Sequence, residues 1–194
     1  MNSLIEKVKE LLTKPAEFLV KAKDEQTTLK ELIMGYVIFL AAIPAIGNFI
    51  GYAVIGRSIF GHIVRYPMKY ALPHAILWYA ASVALVIGVV FITQKLSTNF
   101  GGSGDIDVAA RAIVYSYTPA WVAGVFYIIP ALSVIAMIAG FYSLYLLWIS
   151  TDKVLDIPEN KRMTFMIVLV IAVILVGLLT GVIAGLALPN IPGL

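Results

Sequence analysis

Few residues in this chain could do chemistry. His62 and His74 are the only histidines, and there is no cysteine. A metal held by the two histidines would want a third ligand, and no acid stands between residues 56 and 70. Without a thiol there is no disulfide, thiolate ligand or sulfur nucleophile. The patterns Gly-x-Ser-x-Gly and His-Glu-x-x-His are missing, and so is a phosphate loop. Gly101-Gly102-Ser103-Gly104 follows an apolar helix rather than a strand, which suits phosphate cradling poorly. The chain is therefore expected to be no enzyme and to need no cofactor and no metal.

Binding is the chemistry that remains. Asn48, Ser82, Ser116, Thr118, Ser133 and Thr180 are the polar residues within long apolar runs. Hydroxyls can return to a carbonyl of their own helix. The Asn48 amide needs a partner from elsewhere, and glue between helices weighs more than contact with a substrate. Tyr115, Tyr117, Trp121, Tyr142, Tyr145 and Trp148 are dense. Such aromatics serve as core and interfacial belt, or they line a groove for a lipid or a partner helix. The candidate binding residues are Tyr117, Thr118, Pro119, Trp121, Tyr142 and Tyr145, with Asn48 and the basic Arg57, Arg65 and Lys69, which suit a phosphate. Asp152 reads as a solvated helix end, or else as a partner for Arg111 or Lys95.

The elements that position these residues are five apolar runs, over 32–55, 71–93, 108–129, 131–149 and 163–188. A helix of about 20 residues crosses a hydrocarbon layer about 30 Å thick. The chain has 194 residues, of which 61% are hydrophobic and 13% charged, with mean hydropathy +0.95. A water-soluble core could not absorb so much apolar surface. The expected fold is an all-α integral membrane protein, a bundle of five transmembrane helices over 32–194. Residues 1–31 form a cytoplasmic segment too short for a core of its own.

Of the fourteen Lys and Arg residues, eleven fall in segments that alternate to one side of five crossings. The positive-inside rule then places the N-terminus in the cytoplasm and the C-terminus outside, in a multi-pass protein of the cell membrane. Ser3 and Glu6 spell a capping box. Behind it, Leu4, Ile5, Val8, Leu11 and Leu12 share a face, which predicts an amphipathic helix that stops near Pro15. That helix either lies in the membrane interface or docks its stripe on the bundle.

Thr28 and Glu31 form a second capping box, which starts the first span. Pro44 should kink that span, and Pro119 should kink or break the third. Pro73 fits the first turn of the second helix. Residues 97–105 read as a flexible link, with Asp105 or Asp107 capping the next helix. Pro130 turns the chain between helices three and four. Gly47 and Gly51 offer a small surface for helix packing, and Gly177, Gly181 and Gly185 offer a groove for a neighbour.

The stretch Tyr117-Thr-Pro-Ala-Trp121 resembles the Yip1 family of small membrane proteins. Gly140-Phe-Tyr-Ser-Leu-Tyr-Leu-Leu-Trp148 and Pro158-Glu-Asn-Lys161 are similar to the same family, as is the opening plan through Pro15, Gly35-Tyr36 and Pro44. The resemblance implies five spans and a cytoplasmic N-terminus. Eukaryotic members are associated with vesicle traffic and Rab GTPases. The short N-terminal region here looks like the prokaryotic type, for which that role is not implied. The function this leaves is a membrane scaffold that binds lipids, a membrane-protein partner or a second copy of itself, and no nucleic acid. The alternative is a small solute or ion transporter acting as an oligomer.

Overall fold

A computed structural model describes residues 4–59 and 62–186, nearly all of them helical. Two short helices come first, α1 (Leu4–Thr13) and α2 (Pro15–Asp24). The first span, Leu29–Ile55, contains α3 (Leu29–Leu32) and α4 (Ile38–Phe49), with wider π-helical turns at 33–37 and 50–55. A small antiparallel hairpin, β1 (Arg57–Ile59) and β2 (His62–Val64), leads into α5 (Met68–Phe100). Then follow α6 (Ile106–Ala123), a 3-10 stretch at 124–128, α7 (Ser133–Lys153) and α8 (Glu159–Leu186).

Four helical runs are long and apolar enough to cross a membrane: Leu29–Ile55, Met68–Phe100, Pro130–Lys153 and Glu159–Val182. The expected third span is different. α6 is rich in small and polar residues, and residues 109–116 are buried without a break. It packs against α1, α2, α3, α4, α5 and α7. A helix wrapped by protein has no lipid face to make apolar, and small residues let its neighbours approach closely. Its lower hydropathy follows from its central place.

The helix ends differ from the expectation in several places. Pro15 stops α1 but opens α2, because its missing N–H costs nothing at the first helical position. The segment expected to be a polar link is thus largely helical. The α1–α2 pair docks on the bundle, with Leu11, Phe18, Leu19 and Ala22 buried and Ile5 exposed. The Ser3 cap lies outside the described residues. α5 starts at Met68, so Pro73 sits inside it and not in its first turn. α5 also runs on to Phe100, where Gly101 (φ 88°) closes it in the left-handed region.

The stretch expected to be flexible is held on both sides. Ser103 N donates to Leu155 O (2.8 Å) and Gln94 Nε2 to Gly104 O (3.0 Å). Asp105 then caps α6 by accepting from Asp107 N and Val108 N.

Neither proline breaks its helix. α4 continues through Pro44, and α6 through Pro119 as far as Ala123. Beside Pro119, Ala120 N donates to Ser143 Oγ on α7 at 3.3 Å. A neighbouring side chain thus takes up a backbone donor beside the proline.

Candidate functional site

The polar groups gather in two places, one at each end of the bundle. The first is the end where α1, α2 and the 101–105 and 154–158 turns meet. The Thr28–Glu31 capping box is complete, and Leu29 N donates to Asp107 Oδ1 at 2.7 Å. Arg111, on buried α6, donates to Thr27 O (2.9 Å) and Lys23 O (3.2 Å). Tyr115 donates to Glu25 Oε2 at 2.6 Å, and Lys7 donates to Glu25 Oε1 at 2.8 Å. Tyr115 is edge-on to both Phe18 (5.0 Å) and Tyr36 (5.5 Å).

This end overturns the pairing expected for Asp152. Asp152 binds Arg162 and Lys153, while Arg111 is turned inward to the carbonyls of the α2–α3 connection. A guanidinium one turn into a buried helix reaches nearby carbonyls more readily than a carboxylate at the far end of α7.

The aromatic set expected to line one groove is divided. Thr118 is wholly buried and shares a 2.9 Å hydrogen bond with Tyr36. Pro119 and Trp121 are buried too, with Trp121 against Tyr117 at 5.9 Å. Tyr142 and Tyr145 stack at 5.8 Å, and Tyr142 donates to Leu12 O at 3.2 Å. These residues chiefly join helices to one another. Tyr145 is exposed, at 52%, and so is Trp148 of the same aromatic set.

The second place lies between α4 and α5, toward the hairpin. There a cleft of about 430 Å³ is lined by Pro44, Asn48, Tyr52, Tyr66, His74 and Trp78 among others. Trp78 Nε1 donates to His74 Nε2 at 2.8 Å, and Ser82 returns to Tyr79 O. Among the described residues the Asn48 amide has no hydrogen-bond partner. The hairpin closes one end: Tyr66 N donates to Tyr52 O (3.1 Å) and their rings meet edge-on at 5.7 Å. Arg65 Nε donates to Ile55 O, and Lys69 Nζ sits 4.8 Å from the centre of the Tyr70 ring. Arg57 opens β1, with its backbone paired to Val64.

The glycines behave unequally. Gly47 and Gly51 lie against the backbone carbonyls of Gly124 and Tyr127, with no room for a methyl group. The groove expected along α8 is not filled in this way. Gly177 has Leu85 as its nearest neighbour, at 3.8 Å from an added Cβ, and Gly181 has nothing within 4 Å. Gly185 falls in the last turn of α8.

A family model described as the Yip1 domain matches residues 9–181. The chain belongs to the Yip1 family. The match begins within α1 and ends within α8, so it takes in both polar places apart from Lys7. No curated protein and no solved structure matches the chain. With its apolar helices, this Yip1-domain protein is a multi-pass membrane protein. Of the residues it uses, Glu25 and Tyr36 escaped the sequence reading as site residues. Glu25 sat in an apparent linker and Tyr36 in an apolar run, and their contacts with α6, more than eighty residues distant along the chain, reveal them.

Proposed function

We propose that this Yip1-domain protein is a non-enzymatic membrane protein that binds a lipid, or a membrane segment of a protein partner, between its first two spans. It crosses the cell membrane five times, with a cytoplasmic N-terminus and the C-terminus outside. Besides the four apolar runs, α6 is an 18-residue helix packed inside the bundle, and counting it as a crossing supports an odd number. The apolar face of α1 is shared between the bundle and the interface of the inner leaflet.

The observation that carries this reading is the cleft between α4 and α5. Its volume of about 430 Å³ falls within the range of ligand sites, about 300–1,000 Å³. Its lining is mostly apolar, with a few polar groups that can orient an occupant. A photo-crosslinking side chain placed at Ala45 tests it in native membranes. A defined lipid or protein adduct is expected there and not from Leu178, which is exposed on α8. The same spread of adducts from both positions would overturn the reading. Tags on the two termini, read from either side of the membrane, test the five crossings.

A second reading draws on Asn48 and Pro44, which both line the cleft, Pro44 lacking the N–H that would bond the carbonyl of residue 40. As an oligomer the protein would then pass a small solute or ion. Flux in proteoliposomes that Asn48→Leu abolishes is the expected sign.

A further inference from the structure

We infer that the occupant of the cleft is one anionic membrane lipid, with its headgroup at Arg65 and Lys69 and an acyl chain running between α4 and α5. The inference rests on the binding role proposed above and names the ligand for that same site.

Three observations converge on it. The first is charge. All eleven Asp and Glu residues lie at or before Glu31, at 105 and 107, or at 152, 156 and 159. Every one of those positions belongs to the end of the bundle where α1 and α2 dock, or to the helices leading into it. The hairpin end carries Arg57, Arg65 and Lys69 and no carboxylate side chain to answer them. Arg65 and Lys69 are exposed, and they neighbour the lining residues Tyr66 and Ala71 in the chain. Cations at a membrane surface without internal counter-ions attract anionic headgroups.

The second is the path for a chain. A further cleft of about 260 Å³ lies on the same pair of helices, lined by Ala42, Ile46, Leu72 and Ile76, with no polar surface. The two clefts share Ala45, Phe49 and Ala75. The small side chains of Ala45 and Ala75 leave the space between α4 and α5 unfilled at that point. A flexible chain can pass from the polar compartment into the apolar one and on to the bilayer.

The third is the pattern of polar groups along the cleft. Tyr52 and Tyr66 stand at the hairpin. Asn48 lies eight residues before Gly56, about 12 Å deeper at 1.5 Å per residue. Its amide, without a partner among the described residues, offers donors below the headgroup, where an ester or ether oxygen would sit. This gradient from cation to amide to bare hydrocarbon matches an amphiphile and not a small polar solute.

Trp78 lines the cleft and gives the readout. A single-tryptophan protein, with Trp121→Phe and Trp148→Phe, is placed in phosphatidylcholine vesicles. Either dibrominated phosphatidylglycerol or dibrominated phosphatidylcholine is then added at low mole fraction. The anionic lipid should quench Trp78 at lower fractions. Arg65→Gln and Lys69→Gln should each weaken that preference about fivefold, the worth of one basic residue near an anionic surface. Ala75→Phe should remove the selective quenching altogether.

Native mass spectrometry of the unaltered protein repeats the comparison without the tryptophan changes, by counting retained phosphatidylglycerol against phosphatidylcholine. Equal quenching and equal retention of both lipids, lost with Ala75→Phe, would overturn the anionic assignment and leave a lipid-binding cleft. Quenching that Ala75→Phe does not change would overturn the cleft as a binding site as well.

Discussion

The Tyr115 hydroxyl, wholly inside the bundle on α6, reaches the Glu25 carboxylate at 2.6 Å from a residue 90 positions earlier in the chain. Glu25 is fixed on its other oxygen by Lys7. One carboxylate thus ties α1 and the end of α2 to the central helix. A hydrogen bond to a charged group contributes about 1.5–3 kcal/mol. Tyr115→Phe should lower the unfolding temperature in detergent and raise protease cleavage between residues 24 and 28. Glu25→Gln should do less, since an amide still accepts from the hydroxyl.

Arg111 holds the same segment by its backbone, through Thr27 O and Lys23 O, and its Nε is buried with no partner among the described residues. Arg111→Lys keeps the charge but cannot reach both carbonyls with a planar fork. We expect it to release α1 and α2, seen as faster amide exchange over 4–28 with α8 unchanged. Protection that stays the same in both regions would show that the apolar contacts of Leu11 and Phe18 suffice.

Tyr36 and Thr118 join the first span to α6 deep in the bundle. Tyr36→Phe leaves Thr118 with only the long 3.4 Å bond to Val114 O of its own helix. The expected loss is small, about 0.6–1 kcal/mol, as for other hydrogen bonds between membrane helices. It should appear as a shift of a few degrees at most in a thermal scan.

Glycine substitutions separate packing from composition. Gly47→Ala and Gly51→Ala drive a methyl into the Gly124 and Tyr127 carbonyls. Overpacking of this kind costs about 1–3 kcal/mol. Gly140→Ala and Gly181→Ala meet nothing within 4 Å. They should leave stability unchanged or raise it slightly, because alanine favours the helix. Thermal unfolding of the four variants side by side checks the contrast.

The surface pairs set a pH limit. Lys23 donates to Asp156 and Lys21 to Glu10, and each of these hydrogen bonds raises its lysine above the ordinary value of 10.5. A raised lysine contributes fully below that ordinary value, and the contribution fades as pH climbs through the raised one. Protease protection of the docked segment should therefore hold between neutral and mildly alkaline pH and fall only beyond pH 10.5. Added salt should weaken the same pairs at neutral pH.

Much of the architecture was legible in the order of residues. The apolar runs, the Thr28–Glu31 cap, the Asp105 cap and the turn at Pro130 depend on neighbours within a few positions. Periodicity and capping chemistry report such local terms directly. The helical character of 15–24 was harder to read, because Pro15 looks like a stop when its role as a first helical residue goes unweighed. The candidate site was legible only in part. Asn48 lines the cleft between α4 and α5, and Arg65 and Lys69 lie within two residues of lining positions, whereas Thr118, Pro119 and Trp121 are packed inside the bundle.

By itself, the sequence determined that this chain enters a membrane, which ends of its helices are charged, and where several of its caps and turns fall. Those properties are sums over nearby residues. The tertiary structure alone decided that α6 is the central helix, that Glu25 and Arg111 hold the N-terminal helices against it, and that α4 and α5 part to leave a cleft. Each of these is a relation between segments tens of residues apart, set by which faces pack. Two helices of like hydropathy look the same in sequence whether their partner is lipid or another helix.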